Sequence, residues 1–210
     1  MVNDRKTKGT GGTQATRTAA QPPEGFIPPH GGYKKLFCYQ KAEIVYDATV
    51  YFCERFLSRR DRTFDQMIQA ARSGKQNIIE ASLASGTSKE MEIKLTGVAR
   101  ASLEELLEDF RDFMRNKGVA EWDKHHRYAQ RLSELCRTNN ATYETFRKGI
   151  ENPDPAICCN VIVGLIKVTT YLLDQQLRRL ENDFLKEGGL RERMTRARLQ
   201  ARAQQVSPPS

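Results

Sequence analysis

The 210-residue sequence predicts an all-α protein: an antiparallel up-and-down four-helix bundle with a short helical insertion and a basic C-terminal helix. Three observations lead there. Apolar residues recur at alternating threes and fours along four long stretches, which lays each set on one face of a helix. No stretch alternates apolar and polar residues as a half-buried strand does. Mostly short turn signals separate the long stretches, and short connections make consecutive helices antiparallel neighbours.

The elements follow in order. Residues 1–32 are rich in Gly, Thr, Gln, Ala and Pro and hold almost nothing to bury, so a disordered arm is expected, with Phe26 and Ile27 as its docking point. The first helix is expected from about Lys34 to Ser58, turning Cys38, Ala42, Val45, Thr49, Phe52 and Phe56 inward. Arg59, Arg60, Asp61 and Arg62 form the next turn. Thr63 and Gln66 have capping-box spacing and open the second helix. Its inward face is small: Met67, Ala71, Gly74, Ile78 and Ala81. Glycine costs roughly 1 kcal/mol against alanine in a helix interior, so close packing is expected at Gly74. Ser85 and Gly86 end this helix, and Thr87 with Glu90 offers a second capping box for the third. Leu95, Ala99, Leu103, Leu106, Phe110 and Phe113 form the third stripe, which Asn116 and Gly118 stop.

Residues 119–151 read as the insertion. Glu121 to Arg137 suits a short amphipathic helix using Ala129, Leu132 and Cys136, and Tyr143 to Lys148 adds two turns. Asn152-Pro153-Asp154-Pro155 is a strong start for the fourth long helix, because proline is tolerated where no amide donor is needed. That helix runs to about Lys186. Ile157, Val161, Leu165, Val168 and Leu172 share one face, which Ile162, Ile166, Leu173, Leu177, Leu180 and Phe184 widen, so its first half should be the most buried part of the chain. Gly188-Gly189 ends it. The domain is thus expected over 33–187, and 188–210 is a basic amphipathic tail. From Lys186 onward six basic residues face two acidic ones, a surplus that is half of the formal net charge of +8.

The basic balance, with a pI near 9.3, favours polyanionic partners such as RNA or DNA. Five cysteines, an odd number with no CxxC pair, read as reduced and mostly buried thiols, which implies the cytoplasm. The first residues lack the apolar core of a signal peptide. Ala156 to Leu173 is the most apolar stretch, yet it contains Asn160, Lys167, Thr169 and Thr170. A lysine at mid-span costs about 2.5–3.5 kcal/mol in a bilayer, so a buried helix is expected there and no membrane partner.

No catalytic residue, metal site or cofactor is expected. His30, His125 and His126 are the only histidines; Glu121 and His125 stand four apart, but no second pair completes a metal site. Carboxylates on the third helix alternate with Arg100, Arg111 and Arg115 in the manner of surface ion pairs. Ser73, Asn77 and Glu80 suit hydrogen bonds that fix the register of neighbouring helices. No phosphate-cradling glycine loop is present. The basic clusters remain as candidate nucleic-acid-binding residues: Arg59, Arg60 and Arg62; Arg72 and Lys75; and Arg191, Arg193, Arg198 and Arg202. On a helical wheel Arg191, Arg198 and Arg202 fall on one side of a Leu190, Met194, Ala197, Ala201 stripe, with Arg193 and Arg196 across from them. Such a segment can dock by its apolar face and present arginines to phosphates. The plainer reading is a charged tail that maintains solubility.

Three stretches are recognisable: YKKLFCYQKAEIVYD (Tyr33 to Asp47), AARSGKQNIIEAS (Ala70 to Ser82) and SGTSKEMEIKLTGVARASLEEL (Ser85 to Leu106). They resemble the bacterial four-helix-bundle family encoded in intervening sequences of 23S ribosomal RNA genes. From Gly188, GGLRERMTRARLQAR is similar to the subgroup with a four helix bundle suffix domain. The resemblance covers Tyr33 to Arg202. It implies an antiparallel bundle without enzymatic activity, assembled as a homo-oligomer, a cyclic pentamer in related members. One relative, the accessory variability protein of diversity-generating retroelements, binds its reverse transcriptase and RNA through a basic surface. Arg72, Gly74 and Lys75 depart from the family, which carries apolar or small residues and a proline there, and Ala81 replaces a common glycine. The expected role is binding nucleic acid, or a nucleic-acid enzyme, through basic surfaces; the alternative is a protein-only adaptor or scaffold.

Overall fold

The computed structural model describes Ile27, residues 29–138 and residues 140–206. The expected arm lies almost wholly outside the described residues, as does Phe26; Ile27 is exposed. Every regular element among the described residues is helical. After a 3-10 turn at Tyr33–Lys35 come α1 (Phe37–Phe56), α2 (Arg62–Ala84), α3 (Lys89–Lys117), α4 (Arg127–Arg137), α5 (Tyr143–Ile150), α6 (Pro155–Glu187) and α7 (Leu190–Val206).

The helix starts lie close to the expected places but use different caps. Asp61, not Thr63, caps α2: its carboxylate accepts the Thr63 amide at 3.0 Å. Ser88, not Thr87, caps α3 by accepting the Met91 amide at 3.1 Å, while the Thr87 hydroxyl donates back to the Ala84 carbonyl at 3.3 Å and closes α2. Asp154 caps α6 with Pro155 in the first turn, as the Asn-Pro-Asp-Pro run implies. The insertion helix begins at Arg127 rather than Glu121. Asp123 Oδ1 accepts the amides of His125 and His126 at 2.6 and 2.9 Å, a local turn that competes with helix.

Helices α1, α2, α3 and α6 enclose one core, α2 packing on α1 and α3, and α6 on α1 and α3. Phe52 is fully buried at its centre, its ring 5.2, 4.9 and 5.0 Å from those of Phe56, Phe110 and Phe113. The expected close approach at Gly74 is present: a Cβ there would sit 2.7 Å from Leu103 of α3. Gly164 of α6 likewise leaves room for Leu132 of α4. Insertion helices α4 and α5 lie against α6, and α5 also touches α1. The first half of α6 is the most buried stretch, as expected. A window within Pro155–Ala203 is long and apolar enough to cross a membrane, with mean hydropathy 1.9, and 61% of it is buried inside the molecule.

Some buried residues lie outside the predicted stripes. Glu92 and Lys89 form an ion pair at 2.9 Å at the start of α3. Thr96 and Thr169 are buried outside the stripes too, and Thr49 within the first stripe; each hydroxyl donates to a carbonyl one turn back at 2.7 Å, leaving no unsatisfied donor. Lys41 is 4% exposed and has no ion pair among the described residues; its ammonium lies 5.3 Å from the Phe146 ring centroid. Leu95, Phe56 and Phe113 are only half-buried.

Candidate nucleic-acid interface

Helix α7 follows α6 across the Gly188-Gly189 break, and its start lies near the turn between α2 and α3. Its composition favours helix, being mainly Arg, Ala, Leu and Gln. Glu192 accepts the Gly189 amide at 2.8 Å and secures the first turn, where the positive end of the helix favours a carboxylate. Arg191, Arg198 and Arg202 share one side, are exposed, and make no ion pair among the described residues. The other two arginines reach backbone carbonyls. Arg196 donates to the Glu187 carbonyl at the end of α6. Arg193 is half-buried and reaches the Gly86 carbonyl at 3.5 Å. Arg193 thus links the tail to the turn after α2, and it has no carboxylate partner among the described residues. The Leu190, Met194, Ala197, Ala201 stripe is only partly covered: Leu190 and Ala197 are half-buried, Met194 is 47% exposed and Ala201 is exposed.

The basic clusters do not form one surface. Arg59, Arg60 and Arg62 lie at the start of α2, whereas Arg193 meets Gly86 beyond its end. The 23 residues of α2 separate the two by roughly 35 Å at 1.5 Å per residue. Arg59 is partly engaged, pairing with Glu54 at 3.4 Å and lying 5.4 Å over Phe64. Lys75 is half-buried, 3.9 Å from the Tyr46 ring centroid. Burial pushes the Asp47 carboxyl above its ordinary value, and the Lys75 ammonium pulls it partly back. Lys75 thus belongs to the α1–α2 contact, while Arg60, Arg62 and Arg72 are exposed.

No family model, curated protein or solved structure matches the chain.

The remaining sequence candidates resolve into structural contacts. Glu121 accepts from Lys167 and from Arg111 Nε at 3.1 Å, and His125 is exposed. Burial would raise the Glu121 carboxyl, but the two cations outweigh burial and hold it low. Among the described residues no three metal-ligating side chains gather. Arg100 pairs with Asp174 at 2.5 Å and with Glu104 at 3.8 Å, and Arg115 with Asp112 at 2.7 Å, whereas Asp109 has no cation among the described residues and its carboxyl is pushed up by burial and by Glu105 and Asp112. Ser73 Oγ meets Ser102 Oγ at 2.9 Å across α2 and α3, and Asn77 donates to Ser73; exposed Glu80 takes no part in that register bond. All five cysteines are free, and four are buried. Burial pushes the Cys38 thiol up to about 11 and those of Cys53 and Cys158 up to about 12, which keeps them protonated and inert. Sequence reasoning missed Asn160, buried on α6, which bonds the Trp122 amide at 2.7 Å across 38 positions. Its one advance signal was an amide side chain inside the most apolar run.

Proposed function

We propose that this is a non-enzymatic, homo-oligomeric antiparallel four-helix-bundle protein of the cytoplasm that binds RNA or DNA, or a nucleic-acid enzyme, through exposed arginines. The single observation that carries the reading is the α7 face: Arg191, Arg198 and Arg202 share one side and have no carboxylate partner among the described residues. Unpaired guanidiniums on one helix face suit a row of phosphates, which they recognise by charge-assisted and often bidentate bonds. The shared core of α1, α2, α3 and α6, with short α1–α2 and α2–α3 connections, supports the bundle arrangement. The resemblance to the intervening-sequence family supports the absence of catalysis and the oligomer.

A filter-binding titration of the purified chain against single-stranded RNA and DNA tests this. Binding below micromolar protein is expected at low salt, weakening steeply between about 50 and 200 mM. Absence of salt-dependent binding in that range defeats the proposal. A second reading, a protein-only adaptor, is favoured by exposed Met194 and Leu199 on α7, 47% and 59% accessible. The triple substitution R191Q/R198Q/R202Q separates the two. Loss of nucleic-acid binding with assembly intact supports the first; unchanged behaviour of both supports the second.

A further inference from the structure

Trp122 is the only tryptophan in the chain, and it lies half-buried at the surface of the insertion rather than in the core. Its backbone is held from α6. Asn160, 3% exposed, accepts the Trp122 amide at 2.7 Å and donates Nδ2 to Ala120 O at 3.1 Å and Ala156 O at 2.9 Å. One buried side chain thus fixes residues 120–122 against α6. The Trp122 and His126 rings stack, with centroids 4.8 Å and planes 10° apart. Tyr128 leans on both at 5.4 and 5.5 Å and is 42% exposed. Arg127 lies 4.5 Å from the centroid of the Tyr128 ring and donates to its hydroxyl at 2.6 Å.

Trp122 and Tyr128 line a cleft of about 560 Å³ between α4, α5 and the start of α6. That volume is within the usual range of ligand sites, about 300–1,000 Å³. Leu132, Ile157 and Val161 supply apolar lining, and Lys148 supplies charge. The neighbouring acids are engaged, Glu144 with Arg147 at 2.9 Å and Glu134 with Arg131 at 3.0 Å. Lys148 has no ion pair among the described residues. From Lys124 to Arg137 the chain carries Lys124, Arg127, Arg131 and Arg137 against the single carboxylate of Glu134. Preorganised aromatic rings beside an apolar hollow with cationic edges match a flat, uncharged ring system attached to phosphate.

We infer that this cleft takes an unpaired nucleobase of a single-stranded nucleic acid, stacked on Trp122 and Tyr128, with the adjoining phosphate on Lys148. Base–aromatic stacking tolerates every base, so the site adds affinity for exposed bases without reading sequence. A duplex hides its base faces and gains nothing there. The inference rests on the nucleic-acid reading above and adds a second point of contact, made of α4 and α5 rather than α7.

Because Trp122 is the sole tryptophan, its fluorescence reports occupancy of the cleft directly. The full chain is titrated with an oligothymidylate of about twenty nucleotides, an abasic oligonucleotide of equal charge, and a duplex. Quenching is expected with the base-bearing single strand alone. Tyr128→Ala should weaken single-strand binding by about five- to 150-fold, the range for one lost stack. The R191Q/R198Q/R202Q chain should bind more weakly yet quench to the same extent at saturation. Unchanged fluorescence while filters retain the oligonucleotide, or quenching equal to that by the abasic strand, overturns the cleft and leaves the tail reading intact. Failure of every oligonucleotide to bind defeats both. The fluorescence result stands on the unsubstituted chain, so it does not depend on how Tyr128→Ala folds.

Discussion

Arginine plays opposite parts in the helical core and in the tail. In the core, Arg147 holds Glu144 and Glu151 at 2.9 and 3.2 Å, Arg111 holds Glu108 at 2.6 Å, and Arg100 bridges α3 to Asp174 of α6. Most of these partners stand three or four positions away on the same helix, where side chains meet. In α7 the same residue type finds no such partner. The only carboxylate of α7, Glu192, is bound to the Gly189 amide. Glu187 stands four before Arg191, but the Gly188-Gly189 break separates the two helices. Several arginines of the helical core are therefore neutralised locally, whereas those on one face of the tail are left open. Where carboxylates stand, rather than how many arginines there are, decides which cations remain for a polyanion.

If the core carries all of the stability and the tail none, perturbations should sort by where they act. The largest effect on folding should come from alkali. Cys38, Cys53, Cys158 and Cys159 are buried, and burial raises each thiol above its ordinary value of 9.0. The sign follows from linkage. Below pH 9 both folded and unfolded chains keep these protons, and the contribution to stability is complete; above pH 9 the unfolded chain ionises and the folded chain does not, so stability falls. At pH 10 each thiol costs about 1.4 kcal/mol, and the four together roughly 5 kcal/mol. Lys41, whose pKa burial lowers, works in the other direction and returns part of this. Urea unfolding at pH 8 and pH 10 under reducing conditions checks it, and equal midpoints would refute it. Next in size, Phe52→Ala should lose about 3–5 kcal/mol by emptying the ring cluster with Phe110 and Phe113. A loss under 1 kcal/mol in the same assay would mean the core is not centred there.

What the sequence disclosed and what it withheld divide along the same line. Stripes such as Val45, Phe52, Leu103, Phe110 and Ile166 were legible because helical spacing and burial are local signals. Gly74 was legible as a contact because its helical cost demands compensation. The caps were displaced by one or two residues since Asp61, Thr63, Thr87 and Ser88 are all competent, and tertiary geometry chose among them. The start of α4 depended on the Asp123 turn, which competes with helix over 123–126, and the placing of Trp122 on Asn160, 38 residues away, which no local pattern reveals. The unpaired tail arginines were readable from the scarcity of nearby acids. Their separation from Arg59, Arg60 and Arg62 by the length of α2 depended on where the tail anchors, and only the Arg193–Gly86 contact disclosed that.

A smaller test sharpens the contrast at the α2–α3 contact. Gly74→Ala gains about 1 kcal/mol of helix propensity but forces a methyl within 2.7 Å of Leu103, an overpacking that costs about 1–3 kcal/mol. The net should be destabilising by no more than about 2 kcal/mol. A stabilised variant would show that α2 and α3 are not held at that spacing.

The smallest effect is expected from R191Q/R198Q/R202Q, and it is the one that tests the comparison itself. These side chains touch no carboxylate among the described residues, so their removal takes away no attraction within the fold. Gln keeps a long helix-forming side chain, so α7 loses nothing of its propensity. The thermal midpoint should be unchanged from the parent. Arg147→Gln, which breaks two exposed pairs, should lower stability by a few tenths of a kcal/mol. A fall in midpoint for the triple variant larger than that for Arg147→Gln would show that the tail arginines are partnered in solution, by the core or by a second copy. Their charge would then be cancelled in the tail as it is in the core, and the reason to expect phosphates there would be gone.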